Sequence, residues 1–129
     1  MAPISVTLER EDPPTGIVTL IGEHDAYSAA RLENELALLL DGGIQIVLDL
    51  TDATFVDSQT LSVLLGARHD AEHAALGFTV VLPRDRYTQV HRLLDMTGLA
   101  AEFAIFPSLR RAVAAARAGR STGDRIRAA

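Results

Sequence analysis

Ile44-Gln45-Ile46-Val47-Leu48-Asp49-Leu50 is an apolar, β-branched run broken only by Gln45 and Asp49. A run without strict in-out alternation marks a strand covered on both faces, as in the centre of a parallel sheet. Its flanks agree with that reading. Before it, the segment from about Ser28 to Leu40 sets Leu32, Leu36, Leu39 and Leu40 at helical intervals, and Asp41-Gly42-Gly43 stops the helix. After it, a short loop over Thr51 to Val56 leads to Asp57-Ser58 and a long helical segment. That segment carries Leu61, Leu64, Leu65, Ala71 and Ala75 on one side and ends at Gly77.

Further out, the alternation of periods repeats. Ile4 to Glu9 alternates apolar and polar residues, and the turn residues Asp12-Pro13-Pro14-Thr15-Gly16 separate it from the apolar run Ile17 to Ile21, so the two read as a strand pair. Toward the carboxyl end, Phe78 to Leu82 reads as a strand and Asp85 to Thr97 as a helix with Tyr87, Val90 and Leu94 in register and Gly98 as its stop. Glu102 to Phe106 then reads as a short strand, followed after Pro107-Ser108 by a helix using Leu109, Ala112, Val113 and Ala116. The order ββαβαβαβα in 129 residues predicts one α/β domain. Its central sheet is mostly parallel with an antiparallel edge strand, and helices pack on it, because right-handed crossovers must each cover a sheet face.

Composition removes whole classes of chemistry. There is no cysteine, and all 12 basic residues are arginine. Thiolate, disulfide and cysteine-zinc chemistry are absent, as are the Schiff-base and P-loop functions that need a lysine amine. No apolar run approaches the roughly 20 residues of a membrane span, so the chain is expected to be cytoplasmic without membrane insertion. Net charge is −5, unevenly spread: residues 108–129 hold six arginines and one acid, and residues 1–107 hold six arginines and sixteen acids. An acidic body repels nucleic acid, so no direct nucleic-acid partner is expected.

At the carboxyl ends of the strands, where small α/β domains bind ligands or partners, stand Gly22-Glu23-His24-Asp25, Asp49 to Asp57 with Ser58, and Pro83-Arg84-Asp85. Asp25, Asp49, Asp52 and Asp57 would suit a magnesium ion, but Asp25 and Asp57 also precede helices, where a carboxylate caps free amides, and the capping reading predicts no metal and no cofactor. No Gly-x-Ser-x-Gly turn is present, and the i, i+4 pair His69 and His73 does not have the His-Glu-x-x-His arrangement typical of a helix-borne zinc protease, so it reads as a solvated helix face. Ser58 has two readings: a helix N-cap, or an exposed hydroxyl open to phosphorylation, which adds about −1.5 to −2 charges beside Asp57. Ser58, Ser62 and Gly66 recur every four residues and line one helix face, leaving a shallow strip where a partner can approach the backbone.

Four stretches in order, Gly22-Glu23-His24-Asp25, Val47-Leu48-Asp49-Leu50-Thr51, Phe55-Val56-Asp57-Ser58 and Thr97-Gly98-Leu99, resemble the landmarks of the STAS domain of bacterial anti-sigma factor antagonists. The resemblance spans residues 4–118 and leaves 119–129, without apolar period, as a flexible basic tail. It implies a binding module rather than an enzyme. The implied role is an anti-sigma factor antagonist that binds a serine-kinase anti-sigma factor, frees a sigma factor, and is switched off by phosphorylation at Ser58. The implied docking surface comprises His24, Asp25, Tyr27, Ser28, Asp57, Ser58, Gln59, Ser62 and Gly66. The alternative is a non-switching STAS subunit of a signalling assembly of stressosome type or of a lipid-transport assembly, with Ser58 as a helix cap. Two departures are visible. Gln59-Thr60 replaces the usual Ser/Thr-Gly, which would put Thr60 in the partner's path, and His24 stands where an apolar residue is usual, which suggests docking sensitive to pH near 6.5.

Overall fold

A computed structural model describes residues 3–85 and 87–122. The elements are β1 (Ile4–Glu9), β2 (Thr15–Leu20), β3 (Gly22–His24), α1 (Ala26–Asp41), β4 (Gln45–Asp49), β5 (Ala53–Val56), α2 (Ser58–His73), β6 (Phe78–Val81), α3 (Gln89–Thr97), a 3-10 turn (Leu99–Glu102), β7 (Ala104–Phe106) and α4 (Leu109–Arg117). The main sheet has the order β1-β2-β4-β6-β7. β1 runs antiparallel to β2 at one edge, and β2, β4, β6 and β7 are parallel. The α/β class, the central place of β4 and the antiparallel edge therefore match the expectation.

Both faces of the sheet are covered, which explains why β4 shows no alternation. Ile46 and Leu48 point into the larger core with Leu32 and Leu36 of α1, Leu61 and Leu64 of α2, and Leu94 of α3. Val47 points the other way, with Ile17 and Val81, onto Ala112 and Ala116 of α4. Small residues let α4 lie close. Gly77 shows how close: a Cβ there would sit 2.0 Å from the Ala116 carbonyl oxygen.

Four expectations are corrected. The presumed loop from Thr51 to Val56 contains β5, which pairs in parallel with β3 as a separate two-stranded sheet. Both strands are too short for periodicity to reveal them. The helix expected from Asp85 starts at Gln89, because Thr88 caps it by accepting the His91 amide at 3.2 Å, while Asp85 accepts the Tyr87 amide in a turn. Tyr87 is thereby exposed rather than core. Helix α2 ends before Gly77, in a reversal built on Ala75 at φ 58°. Finally, the tail does not begin at 119. The Phe78 amide donates to the Arg120 carbonyl at 2.9 Å, the Arg120 guanidinium lies 5.0 Å from the Phe106 ring centre, and Ser121 and Thr122 are buried. The remainder of the expected flexible tail, 123–129, lies outside the described residues.

Candidate functional site

The β3–β5 pair fixes two helix starts side by side. Because the strands are parallel and each runs directly into a helix, α1 and α2 begin at the same edge of the molecule. The Asp57 amide donates to the His24 carbonyl at 3.1 Å, and the Thr60 hydroxyl donates to the same oxygen at 3.3 Å. Each helix has an aspartate at its N-cap. Asp25 accepts the Tyr27 amide at 3.0 Å, and Asp57 accepts the Thr60 amide at 2.8 Å. Asp49 likewise accepts from the Thr51 amide and hydroxyl. These carboxylates are engaged in local turns, and among the described residues no three His, Asp or Glu side chains gather as a metal site.

Ser58 is therefore not the cap of α2; it is the first helical residue, and its side chain is exposed. Asp57 satisfies the third amide of the helix, and the first intrahelical bond runs from Leu61 to Asp57, so the Ser58 and Gln59 amides remain at the positive end of the helix. Gln59, Ser62 and Gly66 are exposed on the same helix, and Ser62 donates to the Ser58 carbonyl at 3.0 Å. Ser62 and Gly66 line a groove of about 100 Å³ between α2 and α1, and a Cβ on Gly66 would meet nothing within 4 Å. Asp25 is exposed and Tyr27 is 93% exposed at the start of α1.

Three expected surface residues face inward. His24 is fully buried, with Nε2 3.1 Å from the Ile21 carbonyl and Nδ1 3.2 Å from the Ser28 hydroxyl; Ser28 is itself 4% exposed. A carbonyl only accepts, so the neutral ring carries its proton on Nε2, and the single proton of the Ser28 hydroxyl is shared between Nδ1 and the Asp25 carbonyl, both 3.2 Å away. Burial pushes the His24 pKa below its ordinary 6.5, against smaller opposing effects of the Ile21 hydrogen bond and the Asp25 charge. His24 and Ser28 thus brace the loop from below rather than form its outer surface, since the small β3–β5 sheet turns the loop over them. Thr60 is also fully buried, so it ties the two helix starts together instead of standing in a partner's path.

A residue missed in the sequence is Gln89. Its side-chain amide donates to the Val56 carbonyl and accepts the Val56 amide, both at 2.9 Å, in the manner of a neighbouring strand. A lone glutamine near a helix start gives no sequence signal for this.

Residues 7–112 match the family model of the STAS domain. The chain belongs to the STAS domain family. This STAS domain is 29% identical over 98 residues to an anti-sigma-B factor antagonist of Listeria monocytogenes, covering 75% of this chain and 83% of the relative. Its fold is similar to a crystal structure of an anti-sigma factor antagonist from Mycobacterium paratuberculosis, with TM-score 0.72, 26% identity and coverage of 89% and 95% of the two chains. It also shares the fold of the Bacillus cell-fate determinant SpoIIAA in its phosphorylated form, with TM-score 0.63, 18% identity and coverage of 85% and 97%. Among the described residues no helix is long and apolar enough to cross a membrane.

Proposed function

We propose that this STAS domain is an anti-sigma factor antagonist that docks on a serine-kinase anti-sigma factor, releases a sigma factor, and is switched off by phosphorylation of Ser58. The observation that carries the reading is the exposed hydroxyl of Ser58 at the first helical position beside Asp57, at an edge where two helix starts meet. The names of the Listeria and Mycobacterium relatives support it, and SpoIIAA, with the same fold, exists in a phosphorylated form. The role belongs to the cytoplasm, and in it the chain is a binding module while the partner supplies the phosphoryl transfer.

The switch follows from charge and burial. The free amides of Ser58 and Gln59 accommodate a phosphate on the isolated domain, because a dianion at the helix start complements the dipole. A partner pressed against the same turn must desolvate that dianion next to the Asp57 carboxylate. That costs roughly 3 kcal/mol, or about a hundredfold in affinity. The alternative, a non-switching subunit of a larger assembly, rests on Ser58 serving as a helix cap; Asp57 fills that place, which leaves Ser58 without a structural duty.

The test is sigma release in a mixture of purified chain with each anti-sigma factor and sigma factor pair encoded beside it, read by size-exclusion chromatography. The unmodified chain and Ser58→Ala are expected to displace sigma, and Ser58→Asp is not. Ser62→Arg, on the exposed groove, is expected to weaken displacement while leaving Tm nearly unchanged, because an exposed substitution alters stability by under about 0.5 kcal/mol. Failure of every pair to respond would contradict the antagonist role, and equal activity of Ser58→Asp and Ser58→Ala would contradict the switch.

A further inference from the structure

A cavity of about 330 Å³ opens at the carboxyl ends of β6 and β7, and none of its lining residues belongs to the Ser58 surface. Its apolar lining is Leu82, Ile105 and Phe106, with Pro83 and Pro107 at the points where the two strands stop. The rim is fixed: proline cannot donate to the ladder, and the last bond across it runs from the Leu82 amide to the Phe106 carbonyl at 3.1 Å. The volume falls in the range of small-ligand sites, roughly 300–1,000 Å³, and strand carboxyl ends are where open α/β sheets bind ligands.

The two remaining lining residues, Arg84 and His91, are both donors toward a ligand. Arg84 is exposed and has no hydrogen bond or ion pair among the described residues. The Thr88 hydroxyl accepts the His91 backbone amide and lies 2.6 Å from Nδ1. A hydroxyl proton donated to Nδ1 of the neutral ring leaves the ring's own proton on Nε2, the donor that an anionic ligand needs. Asp85 and Arg120 are both outside the lining: Asp85 accepts the Tyr87 amide, and Arg120 stacks on the Phe106 ring. An apolar floor with a guanidinium and an imidazole donor at its mouth suits one chemical class.

We propose that this cavity binds a small organic carboxylate, with its apolar body on Leu82, Ile105 and Phe106 and its carboxylate on Arg84 and His91. The test is an amide chemical-shift titration of the full chain with 2-naphthoate, phenylacetate and octanoate, with 2-naphthamide as the uncharged counterpart. At least one carboxylate is expected to give saturable shifts centred on Leu82, Arg84, His91 and Phe106. Arg84→Gln, an exposed substitution, is expected to weaken that binding about tenfold with an otherwise unchanged spectrum. Absence of saturable shifts with all three carboxylates, or shifts centred elsewhere, would overturn the site. Equal binding of 2-naphthamide and 2-naphthoate, or an affinity untouched by Arg84→Gln, would overturn recognition of the anion.

Discussion

Asp57 and Ser58 are neighbours with separate duties. The Asp57 carboxylate holds the Thr60 amide at 2.8 Å, whereas Ser58 makes no side-chain bond that the helix needs. Asp57→Ala is expected to cost about 1 kcal/mol and Ser58→Ala under about 0.5 kcal/mol, measured by denaturant unfolding; the reverse order would show that Ser58 caps the helix after all. His24 makes the second residue-scale prediction. Its folded pKa is depressed by burial, so the unfolded chain binds the proton more readily and stability rises with pH across that window. The contribution is full above 6.5 and is lost as pH falls through the lower folded value. Unfolding free energies measured from pH 7.5 to 5 are expected to fall in the native chain and to flatten in His24→Gln, after allowance for the carboxylates; parallel curves would remove His24 as the cause. Both residues were legible as types at landmarks, yet burial was not. Nothing in Gly22-Glu23-His24-Asp25 reveals that a three-residue strand folds the imidazole under the loop while leaving Asp25 outside.

At the scale of elements, helix ends separate strained from unstrained choices. Three helices close with the same pair of reversed bonds. In α1 they are Ile44 to Leu39 and Gly43 to Leu40, in α4 Arg120 to Ala115 and Gly119 to Ala116, and in α2 Leu76 to Ala71 and Ala75 to Glu72. The left-handed residue is glycine at 43 and 119 but alanine at 75. Ala75→Gly is expected to raise stability by up to about 1 kcal/mol by relieving the left-handed strain, seen as a higher Tm; a lower Tm would mean that the conformation carries no strain. Gly77→Ala is expected to cost at least about 2 kcal/mol, since its Cβ would overlap the Ala116 carbonyl in the backbone of α4. These ends also explain what was readable. Ile46, Val47 and Leu48 are apolar because helices lie on both sides, so β4 and the long helices α1 and α2 stood out. β5 and the start of α3 did not, since the first depends on distant pairing with Gly22–His24 and the second on a threonine cap that outcompetes Asp85.

Across the whole molecule, among the described residues, α1, α2 and α3 cover one face of the sheet and α4 covers the other, and the chain after α4 returns to the sheet. Arg68 links these parts: buried on α2, its guanidinium reaches Glu72 at 3.0 Å, Glu102 at 3.4 Å and the Ser121 carbonyl at 3.4 Å. Arg68 falls inside the helical segment read from the sequence, but nothing there marks it as the anchor of the C-terminal segment, because Glu102 and Ser121 lie 34 and 53 residues away. On the proposed reading, the frame that carries the two helix starts leaves a phosphate at Ser58 to act on docking rather than on folding. The most direct test is the Kd of the unmodified and the Ser58-phosphorylated full chain for the anti-sigma factor identified by sigma release, measured by calorimetry beside the Tm of each form. The account predicts binding weakened about a hundredfold, with Tm changed by no more than about 2 °C. Equal Kd values, or weaker binding accompanied by a large fall in Tm, would contradict it.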